Sequence, residues 1–290
     1  MVSTLRGMRS ADPLVTDRDL LEAMVLVQRY SLELNKVAAN ALGQSPTGAL
    51  DTEVLLAIAR GAEAGPSGLV EQLGIPRSTL ARALSRLVRR GLVERSVDSG
   101  DGRRALLAPT PAGVASLRRF DTALADFLCA SVPVVEEVLR LLGRGGAPST
   151  NALPVRDVAD RISAAGAAYV PDVVAASLRH GLAETPDRYA VAYLALHESR
   201  PSRIAEHLDL TPAGTTSLLA RLEGLGLVER RPGVWEADRR AVLVRLTPSG
   251  RRAAGDVLTV FRRHHDTIVD ALDATRRVAH PAQPESQRSA

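Results

Sequence analysis

The chain is nearly devoid of cysteine, lysine and aromatic residues. Its single cysteine, Cys129, excludes an intrachain disulfide framework and any zinc site built on several thiolates. A lone thiol fits a reducing compartment, and the cytoplasm is the expected location. Aromatic residues are 3% of the chain, too few for the stacking platforms that hold single-stranded nucleic acid. Lys36 is the only lysine, so the basic character rests on arginine. No run of about 18 apolar residues occurs, so no membrane span is expected. The most apolar stretch, Ala164–Leu178, is interrupted by Pro171 and Asp172. The opening MVSTLRGMRSADP has no apolar core that would make it a signal peptide. There is no glycine-rich phosphate loop, no nucleophile elbow and no carboxylate or His/Cys cluster with catalytic spacing. An enzyme is therefore not expected, nor a cofactor. The six histidines are scattered, and adjacent His264 and His265 point to different helix faces, so no metal site is expected.

What is present is a 290-residue chain, 45% hydrophobic and 24% charged, with a net charge of +4. That is material for about two globular domains. A comparison of the chain with itself shows why. PSGLVEQLGIPRSTLARALSRLVRRGLVER begins at Pro66, and PSRIAEHLDLTPAGTTSLLARLEGLGLVER begins at Pro201. At an offset of 135 residues, twelve of these thirty positions are identical, among them Leu84, Arg86, Leu87 and Gly91 through Arg95. The match resumes two residues out of step, with Asp101-x-Arg103 against Asp238-x-Arg240 and Thr110-Pro111-x-Gly113 against Thr247-Pro248-x-Gly250. A repeat this long is of domain size, not a solenoid unit. A tandem duplication is expected, divided into 1–145 and 146–290, with its seam in the Gly/Pro/Ser cluster 144–151.

Each copy reads as the same succession of elements. Long helices are expected at Asp17–Leu42, Pro111–Leu142, Val155–Leu182 (bent near Pro171) and Pro248–Thr275. Short helices are expected at Thr52–Arg60 and Arg188–His197. Each is followed by a helix with Ser67 or Ser202 as its N-cap and then by a helix that ends at Gly91 or Gly226. Two-strand ribbons follow, Leu92–Ser96 with Ala105–Ala108 and Leu227–Arg231 with Val242–Leu246. Helix, turn, helix and hairpin is the winged helix–turn–helix order. The fold class is mainly α with small β-wings.

This order suits double-stranded DNA, because a recognition helix buries one stripe and presents polar groups on the other. Leu80, Leu84 and Leu87 form the apolar stripe in copy one, and Ser78, Arg82, Ser85, Arg86 and Arg89 lie opposite. Arg77, Ser78 and Thr79 occupy the first turn, where bases and phosphates are usually met. Arg103 and Arg104 tip the wing, suited to the minor groove, and Asp101 stands beside them as support. Between Ile75 and Leu107 eight arginines face three acids, more than the net charge of the whole chain. Copy two has six arginines against four acids between Leu210 and Leu246. Its candidates are Ser202, Thr211, Thr216, Ser217 and Arg221, with Arg239 and Arg240 on a wing supported by Asp238. Thr211 is the expected N-cap, with Pro212 behind it.

IPRSTLARALSRLVRRGLVER, Asp101-x-Arg103 and Thr110-Pro111-x-Gly113 resemble the MarR family of bacterial transcription regulators, as do their counterparts in copy two. The resemblance implies a DNA-binding regulator, a repressor by preference, with recognition helices in the major groove and wings in the minor groove. Members of the family are homodimers on pseudo-palindromic operators, and many release DNA on binding a small anionic or phenolic effector. Here it implies two heads on one chain, an intramolecular pseudo-dimer on an imperfect inverted repeat, either alone or as a further homodimer. The rival reading is a tandem winged-helix interaction scaffold of the chromosome-partition accessory type.

Overall fold

A computed structural model of the protein describes residues 15–41, 48–60, 65–97, 105–146, 151–232 and 242–278. Its order is α1 (Asp17–Ala41), α2 (Gly48–Ala59), α3 (Pro66–Leu73), α4 (Arg77–Arg89), β1 (Val93–Val97), β2 (Ala105–Pro109) and α5 (Pro111–Leu141). Then come α6 (Val155–Leu178), α7 (Thr185–Leu196), α8 (Pro201–Leu208), α9 (Pro212–Gly224), β3 (Val228–Pro232), β4 (Val242–Leu246), α10 (Pro248–Arg263) and α11 (His265–Arg276). The protein is mostly helical, and its two sheets are antiparallel pairs, β1 with β2 and β3 with β4. No helix among the described residues is long and apolar enough to cross a membrane.

By contacts the chain divides into two compact units, and the division does not follow the sequence halves. One unit takes Ser31–Ala130, and the other takes the described residues up to Tyr30 together with those from Ser131 onward. Both α1 and α5 cross the division.

In the Ser31–Ala130 unit, Val54, Leu55 and Ile58 of α2, Leu69 of α3, and Leu80, Ala83 and Leu87 of α4 form one core with Leu92, Val93 and Leu117. Those three α4 residues recur at three and four positions, which is why the helix buries one stripe and leaves the other to solvent. Val93 pairs with Pro109 and Val97 with Ala105 across the hairpin.

The other unit contains a second core of the same make-up. Ala190, Val191 and Leu194 of α7, Ile204 and Leu208 of α8, and Leu218, Leu219 and Leu222 of α9 pack with Leu227, Val228, Val244 and Leu246. Ser199 adds a bridge to Val244, its N–H donating to Val244 O at 3.0 Å and its carbonyl accepting at 2.9 Å. Around this core, α6 packs along α10 and α11. Tyr30 of α1 meets Thr275 of α11, hydroxyl to hydroxyl at 3.4 Å.

Three local expectations are corrected. Ser67 and Ser202 are not N-caps, because α3 and α8 begin one residue earlier at Pro66 and Pro201, after Gly65 and Arg200. A proline lacks the N–H that the first turn leaves unpaired, so it takes the first helical position itself. The helix expected over Pro248–Thr275 is two helices, broken at His264, whose φ of −94° and ψ of 12° leave the helical range. Pro171, by contrast, lies inside α6, which ends at Leu178 rather than Leu182.

Candidate nucleic-acid interface

Helix α4 of the first head is held by its ends and by one buried charge. Its C-terminus turns at Gly91, whose φ of +66° is the left-handed conformation that suits glycine. Beyond the hairpin, Thr110 binds this turn: its hydroxyl donates to Gly91 O at 2.5 Å and accepts from Gly113 N at 3.1 Å. A Cβ on Gly113 would lie 2.1 Å from Leu92 O, so only glycine fits where the exit helix crosses the turn. The second head repeats each contact. Gly226 has φ +66°, Thr247 donates to Gly226 O at 2.7 Å and accepts from Gly250 N at 3.1 Å. A Cβ on Gly250 would be 2.0 Å from Leu227 O. The Thr-Pro-x-Gly motif is thus a clasp that locks the exit helix to the end of α4 in one head and of α9 in the other.

Midway along α4, Arg86 turns inward. Its Nη2 lies 2.7 Å from Asp51 Oδ1 and its Nε 3.1 Å from Oδ2, a two-point pair with a carboxylate that is fully buried. Those hydrogen bonds raise the already high guanidinium pKa, so the charge is permanent. Arg221 of α9 makes the same pair with buried Asp187, its Nη2 2.6 Å from Oδ1 and its Nε 3.2 Å from Oδ2, and reaches Glu184 at 3.2 Å. Both arginines were expected to face DNA. They face the core instead, because a buried carboxylate must be paired. The sequence reading missed Asp51 and Asp187. Their signal was there: an acid near the start of a short, mainly apolar helix, 35 and 34 residues before the shared arginine.

The rest of α4's outer face is different. Arg77, Ser78, Arg82, Arg89 and Arg90 are exposed, as is Arg95 of β1, while Thr79 is half-buried. Among the described residues no acid pairs with Arg77, Arg82, Arg89, Arg90 or Arg95. Arg82 is steadied by its own helix, with Nε donating to Ser78 O at 3.2 Å. Between α3, α4 and the hairpin lies an open cavity of about 540 Å³, with Pro66, Val70, Leu84, Val88 and Leu107 in its wall and Arg77, Arg89 and Arg95 among its lining.

On α9, Thr211 is the expected N-cap and accepts from Gly214 N at 3.1 Å. Thr216 and Ser217 are exposed, and Thr216 donates back to Pro212 O at 2.9 Å. Ser202 is exposed in the first turn of α8. Asp101, Arg103, Arg104, Asp238, Arg239, Arg240 and the side chain of Ser67 lie outside the described residues.

Helix, turn, helix and antiparallel hairpin, clasped by an exit helix, give each head the winged helix–turn–helix order. Residues 46–104, within the first head, match the MarR family. Among solved structures, the YusO protein from Bacillus subtilis is 22% identical with a TM-score of 0.33, over 40% of this chain and 80% of its own. A structure titled "probable transcriptional regulator", from Pseudomonas aeruginosa, is 25% identical with a TM-score of 0.27, over 39% of this chain and 80% of its own. No curated protein matches.

Proposed function

We propose that the protein is a DNA-binding transcription regulator, a repressor that competes for promoter DNA, built from two winged heads that arose by duplication. The observation that carries this reading is α4's outer face, with Arg77, Arg82 and Arg89 exposed and, among the described residues, without an acidic partner, on a helix whose inner face is locked into a core. Arginine in that setting can neutralise phosphate or bond guanine bidentately. In this reading α4 enters the major groove and the wing carrying Arg103 and Arg104 enters the minor groove. Arg86 and Arg221 act as struts that fix the angle of each recognition helix. The match of residues 46–104 to the MarR family supports the same class. The matched core contacts and clasps of the two heads support the duplication.

The apolar cavity beside α4 is where a small amphipathic anion would be received, with its body on Leu84 and Val88 and its charge near Arg77, Arg89 or Arg95. Such an effector would compete with DNA for the same arginines. Selection of genomic fragments by the purified protein at physiological salt tests the reading. Enrichment of a common promoter motif is the expected result. Failure to retain DNA would replace the regulator with the interaction scaffold.

A further inference from the structure

We infer that the second head is held off DNA by its own carboxylates, so that each chain grips DNA through the first head alone. The inference rests on the regulator reading and concerns which of its heads carries the contact. Position by position, every unpaired arginine of the α4 segment is replaced in the second head by an uncharged residue. Pro212 stands for Arg77, Ser217 for Arg82, Gly224 for Arg89 and Leu225 for Arg90. The two arginines that are kept are both occupied. Arg221 is the strut on Asp187. Arg230, which stands where the first head has Arg95, is paired at 2.7 Å with Glu223, and Glu223 replaces Val88.

The hairpin of the second head follows the same rule. Arg231 pairs with Glu198 at 2.6 Å and Arg245 with Glu229 at 2.5 Å. Every described arginine on α8, α9, β3 and β4 therefore has an acidic partner, Arg203 included, with Glu206 at 2.8 Å. Over the aligned thirty residues the first head carries six arginines and two acids, net +4, and the second three arginines and four acids, net −1. Surface ion pairs are individually weak, and phosphate could draw an arginine away. The freed carboxylate would then stand unpaired against the phosphate backbone. The repulsion persists whichever rotamer the arginine adopts, because the carboxylate it leaves stays in place. An inverted repeat with two equal halves accordingly takes two chains, one first head on each half.

The test is gain of function. Binding to poly(dA–dT) duplex is measured across a salt series for the wild type, for Arg82→Ala with Arg89→Ala, and for Glu198→Gln with Glu223→Gln and Glu229→Gln. Glu198 and Glu229 are exposed and Glu223 is half-buried, and none belongs to the core, so the amides leave the core intact. The triple glutamine protein should bind at least tenfold more tightly at low salt. Its dependence of log K on log salt should steepen by roughly 0.9 for each phosphate gained. The first-head variant should lose affinity and show a shallower slope. Unchanged affinity and slope in the triple variant, with binding still lost in the first-head variant, would overturn the silencing and leave the regulator reading standing. Absence of binding by all three proteins would remove the regulator reading itself. On the selected operator, sedimentation should give two chains per inverted repeat, and one chain protecting both halves would overturn the inference.

Discussion

Arg86 and Asp51 form a two-point ion pair in which the carboxylate is fully buried and the guanidinium half-buried. The pair joins α4 to α2, and its counterpart, Arg221 with Asp187, joins α9 to α7. A charge placed this way sets helix orientation more than it adds stability, since removing either partner costs more than the pair contributes. The cost is unequal. Arg86→Ala strands a buried carboxylate, whereas Asp51→Ala leaves an arginine that can reach water.

Chemical unfolding should therefore rank the two variants. Arg86→Ala is expected to lose about 3–5 kcal/mol, and Asp51→Ala clearly less. An equal loss, or a larger one in Asp51→Ala, would show that the pair is not anchored by burial of the acid.

The clasp makes a second ranking. Gly113→Ala and Gly250→Ala drive a methyl group into a backbone carbonyl, at 2.1 and 2.0 Å, and neither neighbour is a flexible side chain. Gly91→Ala meets no atom within 4 Å and has only its φ of +66° against it, a penalty of roughly 1–2 kcal/mol. Thermal melts should place Gly113→Ala below Gly91→Ala, and Gly250→Ala should behave like Gly113→Ala.

DNA binding should respond unequally to matched losses in the two heads. Arg82→Ala with Arg103→Ala is expected to abolish operator binding at physiological salt and to remove about two counter-ions' worth of salt dependence. Ser217→Ala with Arg240→Ala is expected to have a much smaller effect. Electrophoretic mobility shifts on the selected operator check this, and equal losses would contradict it.

The cavity beside α4 should accept a probe with an apolar body and one negative charge, such as anilinonaphthalene sulfonate. Its fluorescence should rise on binding and fall when duplex DNA is added. Val88→Glu copies the second head, where Glu223 meets Arg230, and should prevent the rise. A full signal in Val88→Glu would place the probe elsewhere.

His207 predicts the direction of one pH effect. Its ring stacks on Tyr193 with centroids 4.2 Å apart. Burial, with Arg29 and His197 adding to it, holds its pKa below the usual 6.5. The folded protein thus disfavours the protonated ring and the unfolded chain binds more protons. Stability from this group is complete above about pH 7 and is lost as pH falls from the unfolded value of about 6.5 through the lower folded one. His207→Phe should keep the stacking and flatten that part of the stability profile in urea unfolding.

Much of this was legible in the sequence, because it depends on neighbours along the chain. The period of Leu80 and Leu87, the glycines at 91 and 226, Thr211 before Pro212 and the place of each hairpin depend on backbone preferences within a few residues. The repeat made those readings twice over. The starts of α3 and α8 were misplaced because Ser67 and Ser202 are good caps, yet the prolines before them are better first residues. Tertiary structure alone decided which arginines are available. Arg82 and Arg86 share one helix, and only the fold separates them, because Asp51 approaches from another helix and is buried. In the same way Arg95 and Arg230 occupy matched positions, and the acid that engages one of them comes from the preceding helix, at a site where the other head has valine. Charge is written in the sequence, but whether a charge is free depends on what the fold brings within about 4 Å of it.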